Sequence, residues 1–348
     1  MQVYMNIPSR PIEATVKAAV KAEELGYDGV LTSETKYDPF LPLVAAAQAT
    51  SRVKLGTAIA IAFPRSPMAM AKTAWDLQAM SNGRFELGLG TQVRGHMVRR
   101  FSTPWTKPIP RMRQYVEAMR AIWDTWQNGS RLRYESENYS FNLMTPHVNP
   151  GPIEHPDIPV KLAAVTPAMG RMAGRCADGI LMHGINTVKY NDEKFIPAIK
   201  EGLAQSDRSL DEFAMHVIGF YTAVRDDQAL EKVRAGLRRT IAFYGSTRTY
   251  RTVFDTHGWG DMVDRLYELS LKGQTGSGQE GLWEKEMVEI VTDDVFDAFT
   301  VIGTYDDMGQ RLKERFGGFA SKISFSIPLK TPEDEEALKA IIRELHAS

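Results

Sequence analysis

Eight times along this chain a short apolar run gives way to a small turn and a longer amphipathic stretch. That alternation constrains the fold more than any other feature. The runs fall at 3–5, 29–31, 53–61, 85–89, 160–164, 179–182, 213–223 and 323–327. Between the first two, Ile12, Val16, Ala19 and Val20 recur at helical spacing ahead of Gly26, a residue type that ends helices. Residues 41–49, 66–80, 110–126, 167–176 and 188–204 also read as helices, and Thr331 with Pro332 opens a last one. Strands separated by helices, without hairpins, pair in parallel. Eight of them predict a closed (β/α)8 TIM barrel of the α/β class rather than an open doubly wound sheet. The run 53–61 lacks polar alternation, as suits a strand buried on both faces.

The chain is read as one domain, residues 1–348, with two departures from the rhythm. Residues 130–157 read as a small hairpin (Leu132 to Tyr134, then Tyr139 to Phe141) followed by a proline-rich loop. Residues 224–300 hold several helices and a Gly/Ser-rich stretch at 273–278, between strand seven and its helix. Thr304 with Asp307 three later forms a capping-box pattern for that helix. An insertion leaving the C-terminal end of a barrel strand lies on the ligand-carrying face. It is therefore expected to be a lid or pocket wall; packing or a subunit interface is the alternative.

Composition excludes several classes. With 42 basic and 43 acidic residues, the chain lacks the cationic surplus that nucleic-acid and membrane-surface binding need. Cys176 is the single cysteine, so no intrachain disulfide or cysteine-rich zinc site can form. No window is apolar enough to span a bilayer, and residues 1–11 do not read as a signal peptide, so a reducing cytoplasm is the expectation. Gly88-Leu89-Gly90 begins like a dinucleotide fingerprint, but Val93 stands where its third glycine should be. The seven histidines do not cluster and no nucleophile elbow occurs, so no metal is expected. An organic cofactor carrying the reaction, with a small-molecule substrate, is the simpler reading.

Charge is unevenly placed. The windows 87–116, 158–177 and 232–254 contain no acidic residue. They hold, among others, Arg94, Arg99 and Arg100, then Lys161, Arg171 and Arg175, then Arg248 and Arg251. If they meet on one face they form a positive pocket for an anion. Within the second, strand 160–164 runs into Val165-Thr166-Pro167-Ala168-Met169. Thr166 can cap a helix whose first residue is Pro167, leaving main-chain N–H groups for a phosphate.

Residues 55–59 (Leu-Gly-Thr-Ala-Ile), Pro64-Arg-Ser-Pro67 and 81–91 resemble the bacterial-luciferase-like superfamily, as do 159–164, 173–179 and 301–304. The similarity covers nearly the whole chain. It is nearest to members that use coenzyme F420, a deazaflavin with a phosphate and an oligoglutamate tail; others use FMN. The resemblance implies a ring in the barrel mouth, backed by a bulge with a non-prolyl cis peptide at Ala58-Ile59 in strand three. It assigns cofactor contacts to Glu34, Ala58, Ile59, Ile61, Thr91, Gln92 and His96, and phosphate contacts to Val165, Thr166, Ala168 and Met169. Arg94, Arg99 and Arg100 become candidates for the anionic tail, and a homodimer is implied.

The activity so implied is an F420-dependent oxidoreductase moving a hydride between the deazaflavin and a small organic substrate. The alternatives are an FMN-dependent monooxygenase and a flavin- or deazaflavin-binding protein without turnover. Glu34 and His183, at the ends of strands two and six, are the candidates for handling the proton. Tyr37 and Asp38 could shape the substrate pocket, although Asp38 before Pro39 is also placed to cap a helix; Trp123 and Trp126 read as core. A family histidine is replaced by Thr35 and a family glutamate by Val93.

Overall fold

The structure is a computed structural model that describes residues 1–275 and 282–347. The 276–278 part of the Gly/Ser-rich stretch lies outside the described residues. Eight parallel strands close into a barrel: β1 Gln2–Asn6, β2 Gly29–Thr32, β3 Lys54–Thr57, β4 Phe85–Gly90, β5 Val160–Ala164, β6 Gly179–Met182, β7 Ala214–Val217 and β8 Lys322–Ser324. Each pairs with its neighbour in chain order, β8 returns to β1, and Leu55 opposite Phe85 joins β3 to β4. The TIM barrel expected from the alternation is therefore the fold.

Helices α1 Ile12–Leu25, α2 Leu41–Ala49, α3 Pro67–Met80, α4 Pro108–Asn128, α5 Pro167–Cys176, α6 Ile196–Ala204, α7 Met308–Phe316 and α8 Pro332–His346 follow the strands. Their ends obey local chemistry. Gly26 stops α1 at φ +90°, where a side chain is disfavoured. Ser66 accepts from the Ala69 N–H at 3.1 Å, and Thr331 and Asp334 form a reciprocal box at α8. Trp123 and Trp126 are buried, as expected of core.

Four expectations need correction. The run 213–223 is not one strand: β7 ends at Val217, and Phe220–Ala223 leaves the barrel to pair in parallel with Thr300–Gly303. The chain turns at Ile218-Gly219, where a β-carbon on Gly219 would meet the Tyr221 ring at 2.5 Å. The run 53–61 is interrupted after Thr57 and resumes as Ala60–Ile61. Residues 188–204 are not one regular helix, since a π-helical turn, Asn191–Phe195, precedes α6. Thr304 does not cap α7 directly. Asp307 is its N-cap residue, and the Thr304 N–H and hydroxyl both donate to the Asp307 carboxylate.

The barrel interior near the strand N-termini is polar and sealed. Glu86 accepts from Lys161 at 2.5 Å, from Lys322 at 2.6 Å and from the Tyr4 hydroxyl at 3.1 Å. His216, fully buried, shares a hydrogen bond with Ser324 at 2.9 Å and packs on the Tyr4 ring. Burial alone would raise the Glu86 pKa, but the two ammoniums outweigh it and hold the carboxyl well below its usual range. Burial, partly opposed by Glu86, brings Lys161 down to about 8.

A hairpin, Tyr134–Glu135 with Ser140–Phe141, follows α4. Between Phe220–Ala223 and Thr300–Gly303 the insertion folds as helices, including Asp227–Gly245, Arg251–Asp255, Gly260–Thr275, Leu282–Ile290 and Asp293–Phe299. Among the described residues no helix is long and apolar enough to cross a membrane.

Candidate active site at the barrel mouth

The C-terminal ends of β2, β3 and β4 interlock. The Ala58-Ile59 peptide is cis and non-prolyl. From Leu55 to Phe63 every residue is buried except Ala58 and Ile59, which are half-exposed. An apolar strand thus surfaces at one small step. Two glycines of β4 make room for it: a β-carbon on Gly88 would lie 1.8 Å from the Thr57 carbonyl oxygen, and one on Gly90 would lie 2.8 Å from Ile59. Close main-chain approach, not dinucleotide binding, explains Gly88-Leu89-Gly90.

Glu34 clasps the step. Its N–H donates to the Ile59 carbonyl at 3.0 Å, and its carboxylate accepts from the Ile61 N–H at 2.7 Å. Arg65 donates to the same carboxylate at 2.8 Å and to Asp38 at 2.9 Å. The Glu34 side chain is only 8% exposed. Asp38 Oδ1 also accepts from the N–H groups of Phe40 and Leu41, but the N-cap residue of α2 is Phe40 rather than Asp38; Tyr37 is exposed. Ile61 is buried and contributes through its main chain. Arg65 was not legible as a partner, because nothing in its spacing from Glu34 indicates a contact.

After β4 the chain turns sharply. Gln92 adopts φ +58°, a region that non-glycine residues rarely enter and that marks functional turns. Its side chain accepts from the Val93 N–H at 2.9 Å, and the Thr91 hydroxyl donates to the Gln92 carbonyl at 3.2 Å. His96 lies in the following short helix, Arg94–Arg99, and is exposed.

The turn after β5 forms as its capping chemistry dictates. Thr166 caps α5 and accepts from the Met169 N–H at 3.3 Å; Pro167 has no N–H to offer. The Met169 side chain is buried and its N–H is already taken, so Met169 offers a ligand little. Ala168 is exposed and its N–H is the donor left open in that first turn. The Val165 carbonyl accepts from the Tyr190 hydroxyl at 2.7 Å, which fixes the turn.

His183, past β6, sits in an aromatic cage. Tyr250 stacks on it with centroids 4.9 Å apart, and Tyr244 meets it edge-on at 4.6 Å. The Ile185 N–H donates to Nδ1 at 3.1 Å, so the neutral ring carries its proton on Nε2. Burial pushes its pKa down to about 4. Tyr244 and Tyr250 come from the insertion, and no sequence signal had tied them to His183. Arg99 and Arg100 line a cleft with Arg248, which brings the first and third basic windows together.

The site can therefore support a flat apolar face on Ala58 and Ile59, attract an anion at Ala168 and offer a neutral imidazole N–H. Comparison with known proteins gives the same picture of the fold. A family model described as luciferase-like monooxygenase matches residues 2–321. An uncharacterized protein of Mycobacterium tuberculosis is 41% identical over 339 residues, covering 97% of this chain and 96% of its own. The 5,10-methylenetetrahydromethanopterin reductase of Archaeoglobus fulgidus is 26% identical, covering 93% and 92%. The solved coenzyme F420 dependent tetrahydromethanopterin reductase of Methanopyrus kandleri superposes with a TM-score of 0.77 at 21% identity, over 99% of this chain and 98% of that one.

Proposed function

The chain belongs to the luciferase-like monooxygenase family, and from that premise we propose that it is an oxidoreductase using coenzyme F420. The observation that carries the reading is the half-exposed Ala58-Ile59 step in an otherwise buried strand, facing the mouth of the barrel. A planar heterocycle can lie against it without meeting a bulky side chain. The residues present fit the cofactor: Ala58 and Ile59 would back its ring, and Ala168 with the Thr166 cap would hold its phosphate. When bound, the deazaflavin supplies two-electron hydride chemistry that no side chain here provides. The names borne by the Archaeoglobus and Methanopyrus proteins, both reductases, support this choice.

The chain's own part is positioning and proton handling. Glu34, which accepts from Arg65 and the Ile61 N–H, fixes the step on which the ring would rest. Its oxygens already accept from these donors, so it acts as a positioning residue rather than a proton donor. His183 presents a neutral Nε2–H and can donate a hydrogen bond to a substrate oxygen as charge develops there. Tyr244 and Tyr250 cover two sides of its ring.

The second reading is an FMN-dependent monooxygenase, which the family's description favours. Titration with F420 and with FMN at matched salt separates them. Tight F420 binding, with hydride exchange against an alcohol, aldehyde or enone, is expected. Tight FMN binding with oxygen uptake would replace the reading by the second, and binding without any turnover would leave a cofactor carrier.

A further inference from the structure

Above the mouth, the short helix Arg94–Arg99 faces the insertion across a cleft of about 810 Å³. Arg99, Arg100 and Arg248 line it with Phe243 and Tyr267, and among the described residues no carboxylate does. None of the three guanidiniums forms an ion pair with a carboxylate among the described residues, and the one carboxylate acting on Arg248 at longer range is Asp264. Arg100 donates to the Thr35 carbonyl at 2.6 Å, and Arg248 lies 4.2 Å over the Tyr267 ring. The nearby Asp264 is engaged by Arg251. Like charges gathered in a concave site without counter-charges raise the local potential and attract an anion. Guanidiniums bind carboxylate and phosphate in bidentate fashion.

We propose that this cleft holds the anionic group of the substrate, a phosphate or carboxylate carried on an apolar, ring-bearing body. The inference rests on the proposed function for the meaning of the word substrate. Position separates this anion from the cofactor's phosphate. The cleft shares no residue with the Thr166 turn, where the cofactor phosphate is placed. It adjoins the His183 cage instead, since the Phe243 ring meets Tyr244 edge-on at 5.3 Å and Tyr244 in turn meets His183. A molecule anchored at the arginines directs its body toward His183 along Phe243, which is 58% exposed.

The test is calorimetric titration of inorganic pyrophosphate, and of phenyl phosphate against inorganic phosphate. Each is titrated onto the protein alone and onto protein saturated with glutamate-tailed F420. Pyrophosphate is expected to bind both forms alike and to weaken with salt. It should bind about tenfold more weakly to an Arg99→Gln, Arg248→Gln double variant, a difference of about 1.4 kcal/mol. Phenyl phosphate should exceed inorganic phosphate. Both arginines are exposed, so the variant's melting temperature should match the parent's. Unchanged pyrophosphate affinity in the variant would overturn the proposal. So would displacement of pyrophosphate by tailed F420 but not by the tail-less deazaflavin, because the cleft would then belong to the cofactor. Pyrophosphate binding through the arginines in a protein that binds no deazaflavin would support the anion site and remove the proposed function instead.

Discussion

The lower layer of the barrel and its mouth both gather charge, and they treat it in opposite ways. Below, Glu86 lies between Lys161 and Lys322, with Tyr4 donating to it as well. Above, Arg99, Arg100 and Arg248 face a cleft that no carboxylate lines among the described residues, and Ala168 is exposed. A closed set of partners is what a structural role requires, because an unpaired charge in the interior is costly. An open set at a concave surface marks where a ligand completes the bonding. Glu34 belongs to the first kind although it stands at the mouth, which is why its role is read as positioning.

The largest effect should come from breaking the closed set. Glu86→Gln leaves two ammoniums buried beside a neutral amide and should cost roughly 3–5 kcal/mol of stability. A thermal melt within a degree or two of the parent would show that the layer is not the closed structural element described. Ala58→Trp strikes the mouth instead. It should weaken cofactor binding about 100-fold, roughly 2.7 kcal/mol, with little change in melting temperature, because Ala58 is half-exposed. Unaltered affinity would remove Ala58 from the ring's platform.

Acid should probe both regions through their histidines. The folded-state pKa of His183, about 4, lies below its ordinary 6.5, and His216 is lowered too, by burial. Between those values the unfolded chain binds more protons, so stability is full above about pH 6.5 and falls as pH drops toward 4. The His183 share is roughly 2–3 kcal/mol. A melting temperature that stays flat from neutral pH down to this range would contradict the buried neutral imidazole. The smallest effect is expected at the α5 cap, where Thr166→Ala should cost about 1 kcal/mol. It should also weaken the phosphorylated cofactor more than its phosphate-free riboside. Equal loss for both would detach the phosphate from that turn.

How far the sequence could be read depended on the range of the interaction. The α5 cap was legible because Thr166, Pro167 and Met169 lie within one turn of chain. The barrel was legible from the alternation, since parallel strands need crossover helices. The split of residues 213–223 was not, because apolar character continues across Gly219 while its second half pairs with strand Thr300–Gly303 far along the chain. The same holds for Arg65 with Glu34, and for His183 with Tyr244 and Tyr250. Each joins segments whose proximity only the closed barrel creates. The acid-free windows are an intermediate case: their charge was visible, but not that only the first and third would meet across one cleft, without the second.

The tight fit of Gly88 and Gly90 against the strand-three step has a consequence for how such a protein can diversify. The platform is held in place by the two adjoining strands and the Glu34–Arg65 clasp, and none of these belongs to the insertion. Residues of the insertion and of the short helix after β4 can therefore be exchanged, enlarging or recharging the chamber, while the proposed ring platform stays fixed. New specificities become accessible by remodelling the roof alone.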